Sequence, residues 1–221
     1  MGFADDWRAW RADREERLRD PHGWLSITAI HWLTEEPQRF ADVPGEWRQD
    51  ERGPVLDGRP LGAVDAEGLT LAFGDVVAEV ADRGGRTIVR PRRPDAPNLR
   101  AYRGTPAYPP DPAWVVPARQ DGNQVVFERD GTEHRLEAEA VDDGRLWILF
   151  RDATSGVTTY AAVRQLLTDV PDADGTVLLD FNRAYNMPCA YTDFATCPVP
   201  PARNTLPFAV EAGEQTPRMD P

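Results

Sequence analysis

One stretch near the C-terminus concentrates the side chains that could do chemistry. Residues 180–198 hold both cysteines of the protein, together with two aspartates, two asparagines, two tyrosines and an arginine. Carboxylates and phenols can transfer protons, a thiolate can attack an electrophile, and amide and guanidinium groups can hold a polar ligand. The stretch matches no standard motif for phosphate, dinucleotide or metal binding. It therefore predicts a functional site without naming its reaction.

The residue types suggest how the work of such a site would be divided. If the site is catalytic, polar or general acid–base chemistry would be carried by Asp180, Tyr185 and Cys189. Arg183 would favour a carboxylate or phosphate group on the substrate. The predicted substrate-binding residues are Asn182, Arg183, Asn186, Tyr191 and His31. The alternative is an intramolecular network without a ligand, because Asn and Asp commonly organise turns.

The two cysteines allow four interpretations, which the sequence leaves open. A nucleophilic Cys189 or Cys197 would need a base, for which His31 or His22 is the candidate. As metal ligands, the cysteines have seven residues between them, which is no recognised zinc spacing, and we predict no metal site. As a redox pair they lack the CxxC arrangement, and as structural residues they would be small buried hydrophobes. Nothing in the sequence indicates a particular cofactor.

Composition excludes several classes of function. The formal net charge of −12 argues against a nucleic-acid partner, because phosphate binding needs a cationic surface. All 25 basic residues are arginine, so Schiff-base chemistry and a P-loop lysine are excluded. The only serines, Ser26 and Ser155, lie outside any G-x-S-x-G elbow. The remaining expectation is a small organic ligand; the alternatives are a non-catalytic interaction or structural module, or a metal or thiol site. Oligomeric state is not indicated.

The sequence also carries expectations about location. The charged N-terminus lacks the apolar segment of a signal peptide, and no apolar run approaches the roughly 20 residues that cross a bilayer. We therefore expect a cytoplasmic protein without a membrane partner, in which the cysteines are thiols. The Arg-, Ala-, Gly- and Pro-rich composition suggests a bacterial source. A local basic run, residues 83–103, holds seven arginines and could steer anions or form a solvated face.

The elements that would position the site read as mainly β. Phe3, Trp7, Trp10, Arg14 and Leu18 fall at helical spacing, which predicts a helix within residues 1–20, docked on the body by its tryptophans. Short apolar runs alternating with turn signals, and 21 prolines, favour many short strands afterwards. We therefore predict that residues 21–221 form a single β-sandwich or barrel-like domain with a long coil-rich C-terminal segment.

Turn residues predict individual hairpins. Asp130-Gly131 between two alternating runs gives the clearest hairpin signal, and Gly84-Gly85 gives a second. Residues 23–33 read as one or two strands, and residues 146–150 and 157–160 as strands on either side of a turn. Residues 177–179 read as a buried strand that leads directly into the polar stretch, which would place Asp180 at the edge of a rigid scaffold.

Three blocks of the chain resemble a family of uncharacterised bacterial proteins, domain of unknown function 1684. The blocks are Gly23–Ser26 with Trp32-Leu33, then residues 150–156 with Thr159-Tyr160, and finally residues 180–201 continuing through Asn204, Leu206-Pro207 and residues 211–214. Met187 stands where the family pattern has a second proline, and residues 35–40 depart from the expected turn. The resemblance implies a β-rich architecture, and it supplies no established activity.

Overall fold

The structure is a computed structural model that describes residues 2–220. Within these residues, 16 strands form four antiparallel sheets beside one main helix, so the prediction of a mainly β protein is confirmed. The chain divides into two compact units. The first unit comprises residues 15–102, 191–196 and 219–220, and the second comprises residues 2–14, 103–190 and 197–218. The division into a helix, residues 1–20, and a single domain, residues 21–221, stays a prediction.

The first unit is built from eight strands in two four-stranded sheets. In chain order the strands are β1 His31–Trp32, β2 Gln38–Arg39, β3 Glu46–Asp50, β4 Gly53–Leu56, β5 Arg59–Pro60, β6 Leu69–Phe73, β7 Val76–Asp82 and β8 Thr87–Arg92. The sheet orders are β1-β8-β7-β6 and β2-β3-β4-β5. Trp47, fully buried, packs against the ring edge of Phe73 in the apolar core of this unit. The unit also holds the short helix α2, Pro97–Ala101, and a 3-10 helix, Trp24–Ser26.

The second unit holds the other eight strands, again in two sheets. They are β9 Val115–Asp121, β10 Gln124–Arg129, β11 Thr132–Glu137, β12 Glu139–Ala140, β13 Leu146–Phe150, β14 Arg164–Leu167, β15 Thr176–Asp180 and β16 Tyr185–Asn186. The sheet orders are β11-β10-β9-β15 and β12-β13-β14-β16. Alternate residues of β9, β10 and β15 are buried, which is the pattern of strands with one face on a core. Residues from both sheets join one apolar cluster, in which the Phe181 ring meets Trp114, Phe127 and Phe150.

The remaining helical elements of the described residues are one long helix and four short 3-10 helices. Helix α1, Phe3–Leu18, is the predicted N-terminal helix. Within the second unit, Trp7 Nε1 donates to the carbonyl oxygen of Asn182 at 2.8 Å, and the Trp10 ring meets Tyr185 edge-on at 6.4 Å. Residues 187–220 contain no strand longer than a single bridge, so the predicted coil-rich C-terminal segment is found up to Asp220. This segment contains two 3-10 helices, Pro188–Ala190 and Ala202–Asn204. Two others precede it in the second unit, Pro112–Trp114 and Phe181–Arg183.

Both predicted hairpins are confirmed. Strands β10 and β11 pair from Gln124↔Glu137 to Arg129↔Thr132 and turn at Asp130-Gly131, where both residues have positive φ. This is the backbone of a two-residue hairpin turn that matches strand twist. Strands β7 and β8 likewise flank Gly84-Gly85.

Two local predictions were wrong. Residues 23–33 form a 3-10 turn followed by only two strand residues, because Ser26 Oγ donates to the Gly23 carbonyl at 2.6 Å and closes the turn. Residues 157–160 form a compact loop in place of a strand. The Asp152 carboxylate accepts from both the backbone N–H and the hydroxyl of Thr154, whose carbonyl then accepts three successive backbone N–H groups.

Three of the seven arginines in the basic run of residues 83–103 pair with one carboxylate, that of Glu79. Glu79 forms ion pairs with Arg83 at 3.0 Å, with Arg92 at 2.6 Å and with the buried Arg90. Burial of Glu79 acts to raise its pKa, but the hydrogen bonds from Arg90 and Arg92 outweigh that effect, so the pKa is lowered. In the first unit these arginines therefore neutralise a largely buried carboxylate, and they do not form only a solvent-exposed basic face.

No helix in the described part of the chain combines the length and apolar character needed to cross a membrane.

We predict that Gly213→Ala destabilises the protein far more than Gly131→Ala. Both glycines have positive φ, +75° and +73°. A Cβ at Gly131 meets open space, whereas one at Gly213 would lie 2.4 Å from the Ala184 carbonyl oxygen. We expect a loss of about 1 kcal/mol for Gly131→Ala and at least about 3 kcal/mol for Gly213→Ala in urea unfolding. Equal losses would contradict the close approach at Gly213.

We predict that the contribution of Glu79 to stability depends on pH. Because its pKa is lower in the folded protein, its stabilising effect is complete above the unfolded carboxyl pKa of about 4.3 and is lost as pH falls through the folded value. Glu79→Gln should therefore lower the urea midpoint at pH 7, and the difference from wild type should shrink below about pH 4. Glu46→Gln, which opens the exposed Arg39 pair in the same unit, is the control and should change the midpoint little. A difference that is constant with pH would contradict the assignment.

Candidate functional site

The start of the predicted site is a hydrogen-bonded turn in the second unit. Asp180 ends β15 and caps the 3-10 helix that follows, since its Oδ1 accepts from the Asn182 backbone N–H at 3.1 Å and from the Asn182 amide at 2.9 Å. Asp180 Oδ2 lies 3.2 Å from Arg183 Nε in a partly exposed ion pair. Asp180 and Arg183 thus lie together, each with the other as its charge partner.

Asn182 is buried and acts as a backbone clamp. Its amide nitrogen donates to the Asp111 carbonyl at 3.0 Å, and its side-chain oxygen accepts from the Asp111 N–H at 2.9 Å. With the bond to Asp180, both amide hydrogens and the oxygen are engaged inside the unit. The arrangement matches the structural alternative for this residue, and a substrate-binding role stays a prediction.

Tyr185 and Asn186 form β16 and point to opposite faces of its sheet. The Arg14 guanidinium lies 4.7 Å from the centre of the Tyr185 ring. Asn186 is buried, and its amide nitrogen donates to the Gln215 carbonyl at 2.8 Å. Its backbone N–H donates to the buried carboxylate of Glu214, which also pairs with Arg11 at 2.6 Å. Asn186 Oδ1 is buried without a hydrogen-bond partner among the described residues.

The two remaining predicted binding residues belong to the first unit. His31 Nε2 lies 2.7 Å from Asp42 Oδ1, and its ring stacks on Phe40 at 3.9 Å. Tyr191 is buried, with its ring edge-on to Tyr102 and its carbonyl accepting from the Asn98 amide at 3.0 Å. Both residues therefore belong to the first unit, whereas Asp180, Tyr185 and Cys189 belong to the second.

The two cysteines meet as thiols in the second unit. The backbone N–H of Cys189 donates to Cys197 Sγ at 3.2 Å. Both side chains are half-buried and pack against the apolar cluster of Leu149, Val163 and Met187. The Cys197 thiol, through a hydrogen bond, lowers the pKa of Cys189 to about 7; burial opposes this shift, and the Tyr160 hydroxyl adds to it. Tyr160 also donates to the Cys189 carbonyl at 2.7 Å.

The sheet β12-β13-β14-β16 presents a defined outer face beside these thiols. One face, with Leu146, Ile148 and Phe150, joins the core of the unit. Since side chains alternate along a strand, the cross-strand pairs Glu139↔Trp147 and Trp147↔Leu167 share the opposite face. The next row on that face is Leu149, Gln165 and Tyr185. Trp147 Nε1 donates to Gln165 Oε1 at 2.7 Å, which fixes the indole on the sheet.

A groove lies over this face, with Trp147 in its floor; we call it the Trp147 groove. Its volume is about 410 Å³, and its lining is Asn123, Glu137, Ala138, Glu139, Ala140, Trp147, Leu149 and Pro201. A second cavity of about 400 Å³ lies on another side of the same tryptophan and is lined by Val141, Asp142, Asp143, Arg145 and Leu167. Leu149 lines the groove and also belongs to the apolar cluster against which Trp147 and the two cysteines pack, so this cluster lies between the groove and the thiols.

Sequence reasoning missed several residues of this groove. Residues 146–150 were predicted as a strand, but a continuous apolar run does not show which side chain faces outward. Asn204, fully buried, binds the backbone N–H and carbonyl of Glu137 at 2.7 and 2.8 Å and the Leu149 carbonyl at 2.7 Å. It thereby joins the ends of β11 and β13 beneath the groove. The sequence offered one indication of Asn204: it lies in the third block of the family resemblance, which begins at residue 180.

A metal centre is not supported among residues 2–220. No group of three or more His, Cys, Asp or Glu side chains in this range could hold a metal ion. Cys189 and Cys197 therefore bring two sulfur ligands without a third.

We predict that alkylation of Cys189 has its midpoint near pH 7. Only the thiolate reacts, so the rate of modification by iodoacetamide, followed on the Cys189 peptide by mass spectrometry, should rise around the lowered pKa. Cys197→Ala removes the main cause of the shift and should move the midpoint upward, toward the ordinary thiol value of about 8.5. Tyr160→Phe should move it in the same direction by less. An unchanged midpoint in Cys197→Ala would contradict the thiol–thiol contact.

Comparison with known proteins identifies part of the chain. Residues 120–215 match the model of the family described as "Protein of unknown function (DUF1684)", and this range contains all of the Trp147 groove and both cysteines. The chain is similar to an uncharacterized protein of Haloarcula marismortui solved by solution NMR, with 33% sequence identity, 51% of this chain and 76% of that chain covered, and a TM-score of 0.44. No curated protein matches. The resemblance predicted from the sequence is confirmed for residues 120–215, which are similar to the DUF1684 family of proteins of unknown function.

Proposed function

We propose that this protein binds a small organic cation in the Trp147 groove. The observation that carries the proposal is a concave face in which an anchored tryptophan lies directly beside a carboxylate, Glu139, on the neighbouring strand. An aromatic face and a carboxylate together are the groups that recognise ammonium compounds.

The size of the groove fits such a ligand. A volume of about 410 Å³ falls within the range of small-molecule sites, which are mostly apolar with a few placed polar groups. Ala138, Leu149 and Pro201 supply apolar lining, and the Asn123 amide and the two carboxylates supply the polar groups. The ligand would therefore have an apolar body and one charged end.

The charge of the lining selects the sign of that end. The charged residues that line the groove, Glu137 and Glu139, are both acidic. Arg203 pairs with Glu137 at 3.0 Å and partly neutralises it, which leaves Glu139 as the carboxylate most available to a ligand. The overall charge of −12 favours approach of a cation as well.

The tryptophan is held ready for binding. Its N–H is fixed to Gln165, and Gln165 Nε2 lies 3.4 Å from the Asn186 carbonyl in the adjacent strand. A ring fixed before the ligand arrives loses little freedom on binding, which favours affinity.

This proposal relates only partly to the stretch singled out in the sequence. Of its candidate catalytic residues, Cys189 packs against the cluster that includes Leu149 of the groove lining, Tyr185 lies on the same sheet face in the next row, and Asp180 caps a turn. The proposal covers binding and no reaction, and it includes a cytoplasmic location, where resting cysteines are ordinarily thiols.

The proposal is tested with phenethylamine, its alcohol analogue and 3-phenylpropionate as probes at pH 7. The Trp147 indole N–H, assigned by Trp147→Phe, reports binding by NMR titration. We expect the amine to bind most tightly, and Glu139→Gln to weaken the amine about threefold without changing the alcohol. Trp147→Leu removes this reporter, so its titration is followed by the side-chain amide signal of Asn123 in the groove lining, and the amine should bind about tenfold more weakly or worse.

Glu128→Gln is the matched control, because Glu128 is an exposed acid of the same unit that does not line the groove. It changes net charge as Glu139→Gln does and should leave all three affinities unchanged. Equal weakening of amine binding by Glu139→Gln and Glu128→Gln would show a general effect of net charge and would contradict recognition of the amine by Glu139. Tighter binding of the carboxylate than the amine, or no shift of the Trp147 signal with any probe, would overturn the proposal.

A further inference from the structure

We propose that Cys189 and Cys197 form a reactive dithiol that exchanges with low-molecular-weight disulfides and closes into an intramolecular disulfide. This inference concerns the thiols themselves and does not depend on ligand binding in the Trp147 groove.

The two sulfurs are already neighbours in the fold. Cys197 Sγ accepts from the Cys189 backbone N–H at 3.2 Å, and both side chains pack on the same apolar surface of Leu149, Val163 and Met187. A disulfide requires Cβ atoms within about 4.5 Å of one another, so the chain must first bring the two residues close together. Here the chain brings the pair together across seven intervening residues while both remain thiols.

The surroundings give the two sulfurs different roles. Cys189 receives the thiol contact of Cys197 and the influence of the Tyr160 hydroxyl, and both stabilise its thiolate. A thiolate with a pKa near the ambient pH combines a large reactive fraction with good nucleophilicity. Cys189 is therefore the attacking residue, and Cys197 is placed to resolve the product.

The half-buried position sets the size of the reaction partner. Each cysteine is neither sealed in the core nor fully exposed. We therefore expect a small disulfide to reach Cys189 beside the apolar cluster of Leu149, Val163 and Met187. A disulfide on a folded protein would have to displace this cluster to reach the same sulfur. Since the net charge is −12, an uncharged small disulfide is a better first probe than an anionic one.

The exchange is balanced in two steps. The Cys189 thiolate attacks one sulfur of RSSR, its S–S bond breaks, and RS⁻ leaves to take up the proton that Cys189 released. Cys197 then loses its proton and attacks Cys189 Sγ of the mixed disulfide, and the second RS⁻ leaves with that proton. Two protein thiols are oxidised to one disulfide, and one RSSR is reduced to two RSH.

The test uses the full chain and bis(2-hydroxyethyl) disulfide at pH 7. Wild-type protein should lose both free thiols, and its intact mass should fall by about 2 Da, the two hydrogens of a disulfide, with no attached thiol. Peptide mapping should show Cys189 linked to Cys197, and dithiothreitol should restore both thiols. These readouts need no variant, so a folding defect cannot obscure them.

Two variants separate the roles. Cys197→Ser should stop at a mixed disulfide on Cys189 that persists, because the resolving thiol is gone. Cys189→Ser should react about tenfold more slowly at pH 7, because the activated thiolate is gone. The melting temperatures of both are compared with wild type to confirm folding.

Three results would overturn the inference: wild-type protein that keeps both thiols under these conditions, wild-type protein that holds a stable mixed disulfide, or a Cys189→Ser variant that reacts as fast as wild type. The amine titration of the Trp147 groove is independent of all three. Failure of either proposal therefore leaves the other to stand on its own measurement.

Discussion

The second unit depends on one buried ion pair, between Arg164 and Asp152. Both side chains are fully buried, and Arg164 Nη2 lies 2.7 Å from Asp152 Oδ2. Burial lowers the pKa of Arg164, and the Asp152 carboxylate acts against that change. A buried guanidinium is tolerated only with such a partner and further acceptors. The carbonyls of Val210 and Ala212 supply these acceptors, so the same arginine fixes the C-terminal segment on β14.

The buried Arg164–Asp152 pair also determines which side chains face the Trp147 groove, which lies on the opposite face of the sheet β12-β13-β14-β16. Arg164 is paired in register with Phe150 and Asn186, all on the core-facing side. Because the side-chain period of a strand is two residues, Leu149 and Gln165 must then face outward, as must Trp147. A slip of one residue would bury Trp147 and expose Phe150. The charge buried in the core therefore determines which side chains form the groove.

Sequence reasoning succeeded where the signal is local. Asp130-Gly131 defines its hairpin through the positive φ that the turn requires, and the strand predicted at residues 177–179 is found within Thr176–Asp180. It was expected to be buried, but it alternates: Val177 and Leu179 are buried, whereas Leu178 is exposed. It failed where partners are distant in the chain. Nothing near Asn182 indicates that its amide binds the backbone of Asp111, and nothing near Asn204 indicates Glu137. Polar residues that look available to a ligand are thus already used by the backbone.

The distinction between side chains already hydrogen-bonded to the backbone and those left accessible explains why we assign the proposed chemistry of the polar stretch to the thiols and not to the asparagines. Asn182 has its donors and acceptor satisfied, whereas the Cys189 thiol is half-buried with a lowered pKa. Trp147 and Leu149 belong to a four-stranded sheet, while Cys189 and Cys197 lie in a 3-10 turn and coil. Oxidation at sulfur would therefore alter a wall beside the groove while hydrogen-bonded strands hold its floor. A floor held by strand hydrogen bonds, beside a wall that oxidation would alter, would allow the proposed binding and the proposed thiol exchange to coexist in one unit without either requiring the other.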